Sequence, residues 1–314
     1  MVARQTVTTG TCAYVGRFAP SPTGPLHFGS LVAALASYVD ARAAGGRWLL
    51  RIEDVDTPRC TRAAETEILR QLAAYGFVAD GAIVRQSERC EHYDFALKQL
   101  AHARHLFACT CTRKTLASAP HNAWGEVIYP GRCREQVNAE TAAATALRLR
   151  VHGGSDAQIS FADRAFGAHW QNVATNVGDF ILRRVDGLYA YQLAVVVDDA
   201  EQGITDVVRG EDLLMNTPRQ IYLQHCLGYA TPSYLHVPLV RNEAGEKLSK
   251  QTRAAAIAID DALATLSAAW AILKQPSLGR VASVTKFWQQ ATALWNPALM
   301  RSSAGSIDPS DHRR

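Results

Sequence analysis

Hydrophobic and polar positions in the first third of the chain fall into blocks that predict strands alternating with helices. Residues 12–18 form an apolar run that ends in a turn rich in proline and glycine, and apolar residues at helical spacing follow over 29–44. Two adjacent glycines then form a typical helix end. A second strand is predicted over 47–52 and a second helix over 62–75. Strands and helices in this order predict a doubly wound parallel α/β sheet.

The middle of the chain departs from this alternation. Residues 106–190 hold turn-rich loops and short predicted strands, and we expect a mixed insertion there rather than a continuation of the parallel sheet. The strands predicted within it lie at 146–151, 159–162 and 179–184. The alternation resumes with a strand at 203–210, a helix at 217–227 and a strand at 234–240. The predicted parts are therefore two halves of a Rossmann-type domain (1–105 and 191–252), the insertion (106–190) and a helical extension with a polar tail (253–314).

Composition adds few constraints. The chain has 314 residues, of which 48% are hydrophobic and 20% charged, as in ordinary globular proteins. No apolar run is long enough to cross a bilayer, and the N-terminus lacks the apolar segment of a signal peptide. Seven cysteines without such a signal indicate reduced thiols and a cytoplasmic location. A net charge of +4 is compatible with a polyanionic partner but does not require one. We expect a monomer.

Two short motifs carry candidate chemistry for nucleotide binding. In the turn over 16–30, backbone N–H groups at a helix N-terminus favour phosphate, and His27 can donate to a phosphate or ribose oxygen. Gly29, which has no Cβ, allows a flat base to approach the backbone. In the second motif, Lys247 and Lys250 of Lys-Leu-Ser-Lys can stabilise charge that develops on an α-phosphate. Each motif alone is more simply a connecting loop or a solvated turn.

Together, in this order and at this separation, the motifs resemble the two ATP-handling signatures of the glutamyl branch of class I aminoacyl-tRNA synthetases. Ser30 replaces the second histidine of the first signature, and Gln251 replaces the final serine of the second. The resemblance extends over about residues 13–253 and implies a catalytic domain that uses ATP with Mg as substrate. The catalytic residues it implies are His27, Lys247 and Lys250. The ATP-binding residues it implies are Pro22, Gly24, His27, Gly29 and Lys250.

A glutamate site needs cationic or hydroxyl donors for two carboxylates and an anion for the ammonium group. Arg17, Glu53 and Arg209 stand at predicted strand ends, where α/β sheets place ligand contacts, although a solvated turn and a surface strand end would look the same. The stretches 51–59, 191–199 and 207–214 resemble glutamyl-type enzymes. That resemblance implies Glu53 for the ammonium group and Arg17, Tyr191 and Arg209 for the carboxylates. It also implies that Ala19 and Ser21 line the site.

Three of the cysteines cluster in the insertion and suggest a metal site. Cys109 and Cys111 are followed by Cys133, which gives three thiolates, one fewer than a closed tetrahedral zinc site requires. The resemblance implies that Tyr129 is the fourth ligand, whereas His121 or His105 would be an easier ligand chemically. The expected cofactor is one structural zinc ion per chain.

The region after Lys250 suggests a particular member of the family. Residues 251–314 are too few for a further domain of typical size, so we expect no anticodon-binding domain there. This layout resembles the glutamyl-queuosine tRNA(Asp) synthetases, which form glutamyl-adenylate without tRNA. They then transfer glutamate to the cyclopentenediol of queuosine in the anticodon loop of tRNA(Asp), and not to a tRNA 3′ end.

Two other functions remain open from the residues alone. The first is a truncated glutamyl-tRNA synthetase that charges tRNA(Glu), and the second is a non-catalytic paralogue that binds glutamate or ATP. For the leading reading the implied partners are L-glutamate, ATP and queuosine-containing tRNA(Asp), with no membrane. His121, Trp124 and the basic run 132–134 are candidate RNA contacts.

Overall fold

The structure is a computed structural model and describes residues 13–135, 145–240 and 256–300. Its strands are β1 (Val15–Phe18), β2 (Arg47–Ile52), β3 (Val84–Arg85), β4 (Leu106–Cys109), β5 (Ala146–Leu149), β6 (Gln158–Asp163), β7 (Gly167–Asn172), β8 (Ile181–Arg183), β9 (Asp206–Gly210) and β10 (Ser233–Val237). Its α-helices are α1 (Phe28–Ala43), α2 (Arg62–Ala74), α3 (Cys90–His102), α4 (Val173–Asn176), α5 (Tyr191–Glu201), α6 (Thr217–Leu227), α7 (Ala262–Ile272) and α8 (Val284–Leu294). Short 3-10 helices lie at Gln86–Glu88, Ser155–Ala157, Glu211–Asn216 and Pro297–Met300. None of the helices in these ranges is long and apolar enough to span a bilayer.

The larger sheet has seven strands in the order β3-β2-β1-β9-β10-β6-β7. All neighbouring strands are parallel except β6 and β7, which form an antiparallel hairpin at one edge. Strand β1 pairs with β2 on one side and with β9 on the other, so the order of strands reverses there. In an open α/β sheet, ligands bind at such a reversal, beyond the carboxyl ends of the strands.

Alternate residues of the central strands enter two separate cores. Leu50 of β2 and Val208 of β9 belong to the core built with α1, α2, α7 and α8. Their neighbours Leu49 and Val207 belong to the core built with α3, α5 and α6. Successive strand residues point to opposite faces, so helices cover both faces of the sheet. The predicted doubly wound α/β fold with a mostly parallel sheet is confirmed.

Most predicted elements of this sheet are present. The strand predicted over 47–52 and the helix predicted over 217–227 are confirmed at both ends, and the others are displaced by a few residues. The Lys-Leu-Ser-Lys motif at 247–250 lies outside the described residues.

The predicted insertion contributes to two sheets. Strands β4, β5 and β8 form a separate antiparallel sheet, as a mixed insertion would. The hairpin of β6 and β7 instead extends the larger sheet, because β6 pairs in parallel with β10 at Asp163 and Tyr234. The expectation that all of 106–190 lies outside the parallel sheet is therefore wrong for residues 158–172. The domain boundaries stay predictions.

Candidate active site

A cavity of about 330 Å³ opens at the carboxyl ends of β1 and β9, where the strand order reverses. We call it the strand-end cavity. Its wall contains all six residues predicted for glutamate, namely Arg17, Ala19, Ser21, Glu53, Tyr191 and Arg209. They come from the end of β1 and the turn after it, the end of β2, the first residue of α5, and β9. The fold thus brings together groups that are far apart in the chain.

Arg17 is held in place by a buried carboxylate. Its Nε and Nη2 atoms donate to Asp199 of α5 at 3.1 and 3.3 Å, and its Nη1 donates to the carbonyl of Val208 at 3.4 Å. Asp199 also accepts from Arg51 at 2.8 Å. Burial raises the pKa of Asp199, but Arg17 and Arg51 outweigh it and keep that pKa below its usual value. Asp199 is therefore ionised and fixes both guanidinium groups.

Glu53 is the one acidic residue that the described ranges contribute to the wall of the strand-end cavity. Its carboxylate accepts from Arg51 at 3.2 Å and is almost fully buried. Burial raises the pKa of Glu53 above its ordinary value, although Arg51 and Arg17 oppose the shift. A buried carboxylate of this kind favours a ligand that brings its own positive charge.

Arg209 is fixed by a chain of hydrogen bonds that reaches the edge hairpin. Its Nε donates to His236 Nε2 at 3.1 Å, and its other nitrogens donate to Gln220 at 2.7 Å and Thr217 at 2.8 Å. Burial lowers the pKa of His236 to about 4, so the ring is neutral. With Nε2 accepting, Nδ1 carries the proton and donates to Asp163 at 2.7 Å.

Three residues that orient these arginines were not among the predicted site residues. They are Asp163, Asp199 and His236, each nearly or fully buried. The one signal for them in the sequence is a charged or polar residue inside an apolar strand or helix, such as His236 in β10. That signal shows a buried polar group but does not identify its partner.

A second cavity of about 320 Å³, which we call the turn cavity, lies beside the turn after β1. His27 and Gly29 line it, whereas Pro22 and Gly24 belong to the same turn but not to its lining. His27 is the N-cap of α1, and its Nδ1 accepts from the backbone N–H of Ser30 at 3.3 Å. The Ser30 hydroxyl lies 3.0 Å from His27 Nε2. The residue that replaces the second signature histidine therefore contacts the first.

The two cavities adjoin each other. Their linings share Phe18 of β1, Ala19 and Ser21 of the turn, Ala33 of α1 and Gly210 of β9. A ligand in the strand-end cavity and a nucleotide in the turn cavity would therefore be in contact.

The chain on both sides of residues 241–255 lies at the turn cavity. Val240 lines this cavity, and Ala256 forms a β-bridge with His27. The N–H of Ile257 donates to Leu26 at 3.0 Å, and Gln71 of α2 bonds the backbone of both Leu26 and Ile257. The residues next to the Lys-Leu-Ser-Lys stretch are thus anchored at the first motif.

The clustered cysteines come together as a group of possible metal ligands. The Sγ atoms of Cys109, Cys111 and Cys133 all lie within 4.8 Å of one another. The hydroxyl of Tyr129 is 3.6 Å from Cys109 Sγ and 3.9 Å from Cys111 Sγ. No histidine of the described ranges belongs to this group, so His105 and His121 are not brought to the thiols.

The surroundings of Tyr129 act on its phenol in both directions. Burial and the hydrogen bond with Cys109 raise the pKa of Tyr129 well above its ordinary value, whereas two other contacts favour the anion. The Arg148 guanidinium lies 4.0 Å from the centre of the tyrosine ring. The backbone N–H of Cys133 donates to the phenol oxygen at 2.8 Å. Burial raises the pKa of Cys133, but hydrogen bonds, first from the backbone of Thr110 and then from Tyr129, bring it down to about 7. Three thiols and one phenol make a donor set that fits a four-coordinate zinc ion.

One candidate RNA contact from the sequence has a structural role. Arg134 forms a two-point ion pair with the buried Asp179, at 2.6 and 2.9 Å. Its guanidinium is therefore already held by a partner within the protein. The RNA contact by Arg134 stays a prediction.

The sequence is similar to a known family of enzymes. Residues 14–267 match the family model of the catalytic domain of class I tRNA synthetases (E and Q). The chain belongs to this family.

Two individual relatives and one solved structure show which members of the family the chain resembles. The chain is 58% identical to a glutamyl-Q tRNA(Asp) synthetase of Thiobacillus denitrificans, covering 86% of this chain and 88% of the relative. It is 53% identical to one of Burkholderia cenocepacia, covering 90% and 96%. A glutamate-tRNA synthetase structure from Elizabethkingia anophelis superposes with a TM-score of 0.66 at 31% identity, over 76% of this chain and 53% of that one. The chain thus spans about half the length of that structure, and within the family it groups with the glutamyl-Q tRNA(Asp) synthetases.

Proposed function

We propose that the protein activates L-glutamate with ATP and transfers it to queuosine in the anticodon of tRNA(Asp), not to a tRNA 3′ end. The observation that carries this proposal is the strand-end cavity, in which two arginines, a tyrosine and one buried carboxylate line a space next to the turn cavity. The relatives named glutamyl-Q tRNA(Asp) synthetase support queuosine as the acceptor.

The charges of the strand-end cavity suit glutamate. Glu53 would accept from the ammonium group, and Arg17, Tyr191 and Arg209 would donate to the two carboxylates. Ala19 and Ser21 would line the space between them. Because the arginines are already held by buried partners, little reorganisation is needed when the amino acid binds.

The first step joins the amino acid to AMP. A carboxylate oxygen of glutamate attacks the α-phosphorus of ATP in the turn cavity, the bond from that phosphorus to the bridging oxygen breaks, and pyrophosphate leaves. Pro22, Gly24, His27 and Gly29 would contact the nucleotide, and Lys247 and Lys250 would stabilise the charge on the α-phosphate with Mg. In the second step a hydroxyl of the queuosine diol attacks the acyl carbon, loses its proton, and AMP leaves.

Cys109, Cys111, Tyr129 and Cys133 would hold one structural zinc ion. The metal would cross-link a small region that has little core of its own. It would take no part in the reaction. The cytoplasmic location and the monomeric state stay predictions.

The test is ATP-dependent transfer of labelled glutamate to native tRNA(Asp) with and without queuosine, beside tRNA(Glu). Label on queuosine-containing tRNA(Asp) alone is expected. Label on tRNA(Glu) would indicate a shortened glutamyl-tRNA synthetase, and label on neither, with glutamate still bound, would indicate a non-catalytic paralogue. Lys250→Ala should abolish adenylate formation and leave glutamate binding largely intact, and unchanged turnover in this variant would refute the role given to Lys250.

A further inference from the structure

A third cavity, of about 640 Å³, lies outside the strand-end and turn cavities. We call it the hairpin cavity. Its walls are formed by strands β6 and β7 of the edge hairpin, by α4, by the start of α6 and by the loop at Trp124. Leu214 and Met215 of the 3-10 helix Glu211–Asn216 also line it. Nothing in the proposed chemistry of glutamate or ATP uses it.

Buried polar atoms without partners concentrate in this wall. Gln171 is only 2% exposed, yet both atoms of its side-chain amide lack a hydrogen-bond partner among the described residues. The indole N–H of Trp124 and the Nε2 of His169 also lack one within the described ranges. Buried polar groups in proteins are normally paired, because removal from water is unfavourable without a replacement hydrogen bond. Three residues that line one cavity hold these four atoms, and a ligand that reaches them would supply the missing partners.

The hydrogen-bonding character of these atoms can be assigned. Burial lowers the pKa of His169, so the ring is neutral near pH 7. The ring is hydrogen-bonded to the backbone of Phe166, and since Nε2 is unpartnered, this bond is made by Nδ1. Nε2 is then an acceptor. The lining residues therefore hold one donor on Trp124, one acceptor on His169, and two donor hydrogens and an acceptor oxygen on Gln171.

An aromatic surface lies beside these groups. The rings of Phe161 and His169 stack on each other with centroids 5.5 Å apart and planes 26° apart, and both residues line the cavity. A ligand that satisfies the wall must have a flat aromatic face and donors and acceptors on its edge. Nucleobases have both, and unstacked bases of RNA loops are bound in this way.

We propose that the hairpin cavity binds an unstacked base of the RNA substrate, from a nucleotide next to the one that receives glutamate. This inference rests on the proposed function for the identity of the RNA. Its position is supported by the 3-10 helix, in which Leu213 lines the strand-end cavity while the next two residues line the hairpin cavity. One turn of backbone therefore separates the glutamate site from the base site.

The main test is Gln171→Leu, which keeps a similar volume and removes both unpartnered atoms. We expect the Kd for queuosine-containing tRNA(Asp) to rise about tenfold, which corresponds to about 1.4 kcal/mol. Glutamate-dependent ATP–pyrophosphate exchange without RNA should be unchanged. The thermal midpoint should not fall, because the substitution removes unpaired polar groups from the interior. Trp124→Phe, which keeps a ring and removes one donor, should weaken RNA binding in the same direction.

The matched control is Gln290→Leu in α8. Gln290 also has a buried, unpartnered carbonyl oxygen within the described ranges, but it does not line the hairpin cavity. This variant should bind the RNA like the unmodified protein. Equal RNA affinity in all four proteins would overturn the proposal, and so would a joint loss of exchange activity and folding in Gln171→Leu.

A fluorescent base tests the location directly. 2-Aminopurine placed on either side of the modified nucleotide should change its emission when the unmodified protein binds, and this change should be lost with Gln171→Leu. The same change in both proteins would contradict the base site. Binding is measured here without glutamate transfer, so if no RNA accepts glutamate the proposed function fails while the affinities still decide the role of the hairpin cavity.

Discussion

Replacing Glu53 with glutamine tests the amino-acid site most directly. The side chain keeps its shape and loses the only negative charge that the described part of the chain places in the lining of the strand-end cavity. If Glu53 accepts from the ammonium group of glutamate, the variant loses a charge-assisted hydrogen bond. Such bonds contribute about 1.5–3 kcal/mol, so the KM for glutamate should rise roughly ten- to hundredfold.

The effect on stability should be small. The pKa of Glu53 is raised by burial, so the charge is unfavourable in the folded protein despite the contact with Arg51 at 3.2 Å. Arg51 keeps its ion pair with Asp199 at 2.8 Å. The loss of one contact and the relief of a buried charge oppose each other, and the free energy of unfolding should change by less than about 1 kcal/mol.

The assay is glutamate-dependent ATP–pyrophosphate exchange without RNA, together with urea unfolding. Glu65→Gln in α2 is the matched control, because Glu65 is equally buried but is paired with Arg85 at 2.7 Å. It should lose stability and keep its KM. A KM for Glu53→Gln within about twofold of the unmodified value would refute the ammonium site, given the size of a charge-assisted hydrogen bond.

The same site predicts a pH dependence. If Glu53 binds the ammonium group, glutamate binding requires Glu53 to be ionised, and its pKa lies above that of an ordinary glutamate side chain, about 4.3. As the pH falls, the KM should therefore begin to rise before that value is reached. The buried charge of Glu53 lowers the stability of the fold, whereas the charge of a paired carboxylate raises it. This loss of stability is complete above the folded-state pKa of Glu53 and disappears below its unfolded-state pKa, where the group is protonated in both states. A KM for glutamate that stays constant as the pH falls to the ordinary pKa of a glutamate side chain would contradict the raised pKa of Glu53.

Three further substitutions test the supports of the site. Asp199→Asn should lower the free energy of unfolding by about 3 kcal/mol, since two buried arginines lose a shared partner. Because the pKa of Asp199 is depressed, this difference should be present at neutral pH and shrink as the pH falls below about 3.9. Equal unfolding curves at neutral pH would contradict this. Cys133→Ser should reduce the zinc content, measured by metal analysis, to well below one ion per chain, and it should lower the thermal midpoint. An undiminished zinc content would exclude the Cys133 thiolate as a ligand. Gly178→Ala, with φ +71° and a Cβ that would lie 2.9 Å from the Tyr129 carbonyl, should destabilise more than Gly187→Ala, with φ +85° and open space. Equal losses of stability in the two variants would show that backbone strain, and not the contact with Tyr129, sets the cost of the substitution.

The parallel core could be predicted from sequence because its local signals agree. A short apolar run between turn residues predicts both ends of β2 correctly. Helix α6 is bounded by Pro218 near its start and by the left-handed Gly228 at its end. The residues around the strand-end cavity were predicted by resemblance at matching motifs, and the structure places them in one wall. Their roles in binding stay predictions.

Other features depend on pairings that no local pattern encodes. The hairpin of β6 and β7 has the same short strands whether it joins the larger sheet or another, and its register with β10 rests on Asp163 and Tyr234. Arg134 looks like a surface cation in the sequence, and its buried partner Asp179 is more than forty residues away. The hairpin cavity is formed by four separate segments of the chain, so the unpaired atoms of Gln171 are seen only after folding.

The contrast between the strand-end and hairpin cavities bears on the order of the reaction. In the strand-end cavity Arg17 and Arg209 are already paired with buried groups, so the two arginines of the proposed glutamate site are held in place without RNA. In the hairpin cavity the side-chain amide of Gln171 has no hydrogen-bond partner among the described residues. Glutamate activation should therefore proceed before RNA binds, and the RNA should supply its own contacts in the second step. The 3-10 helix joins the two, because Arg209 bonds the carbonyl of Leu213 while the next residues line the hairpin cavity. If both proposals hold, a base bound there would contact the turn that holds Arg209, and the acceptor RNA would lie beside the proposed glutamate site.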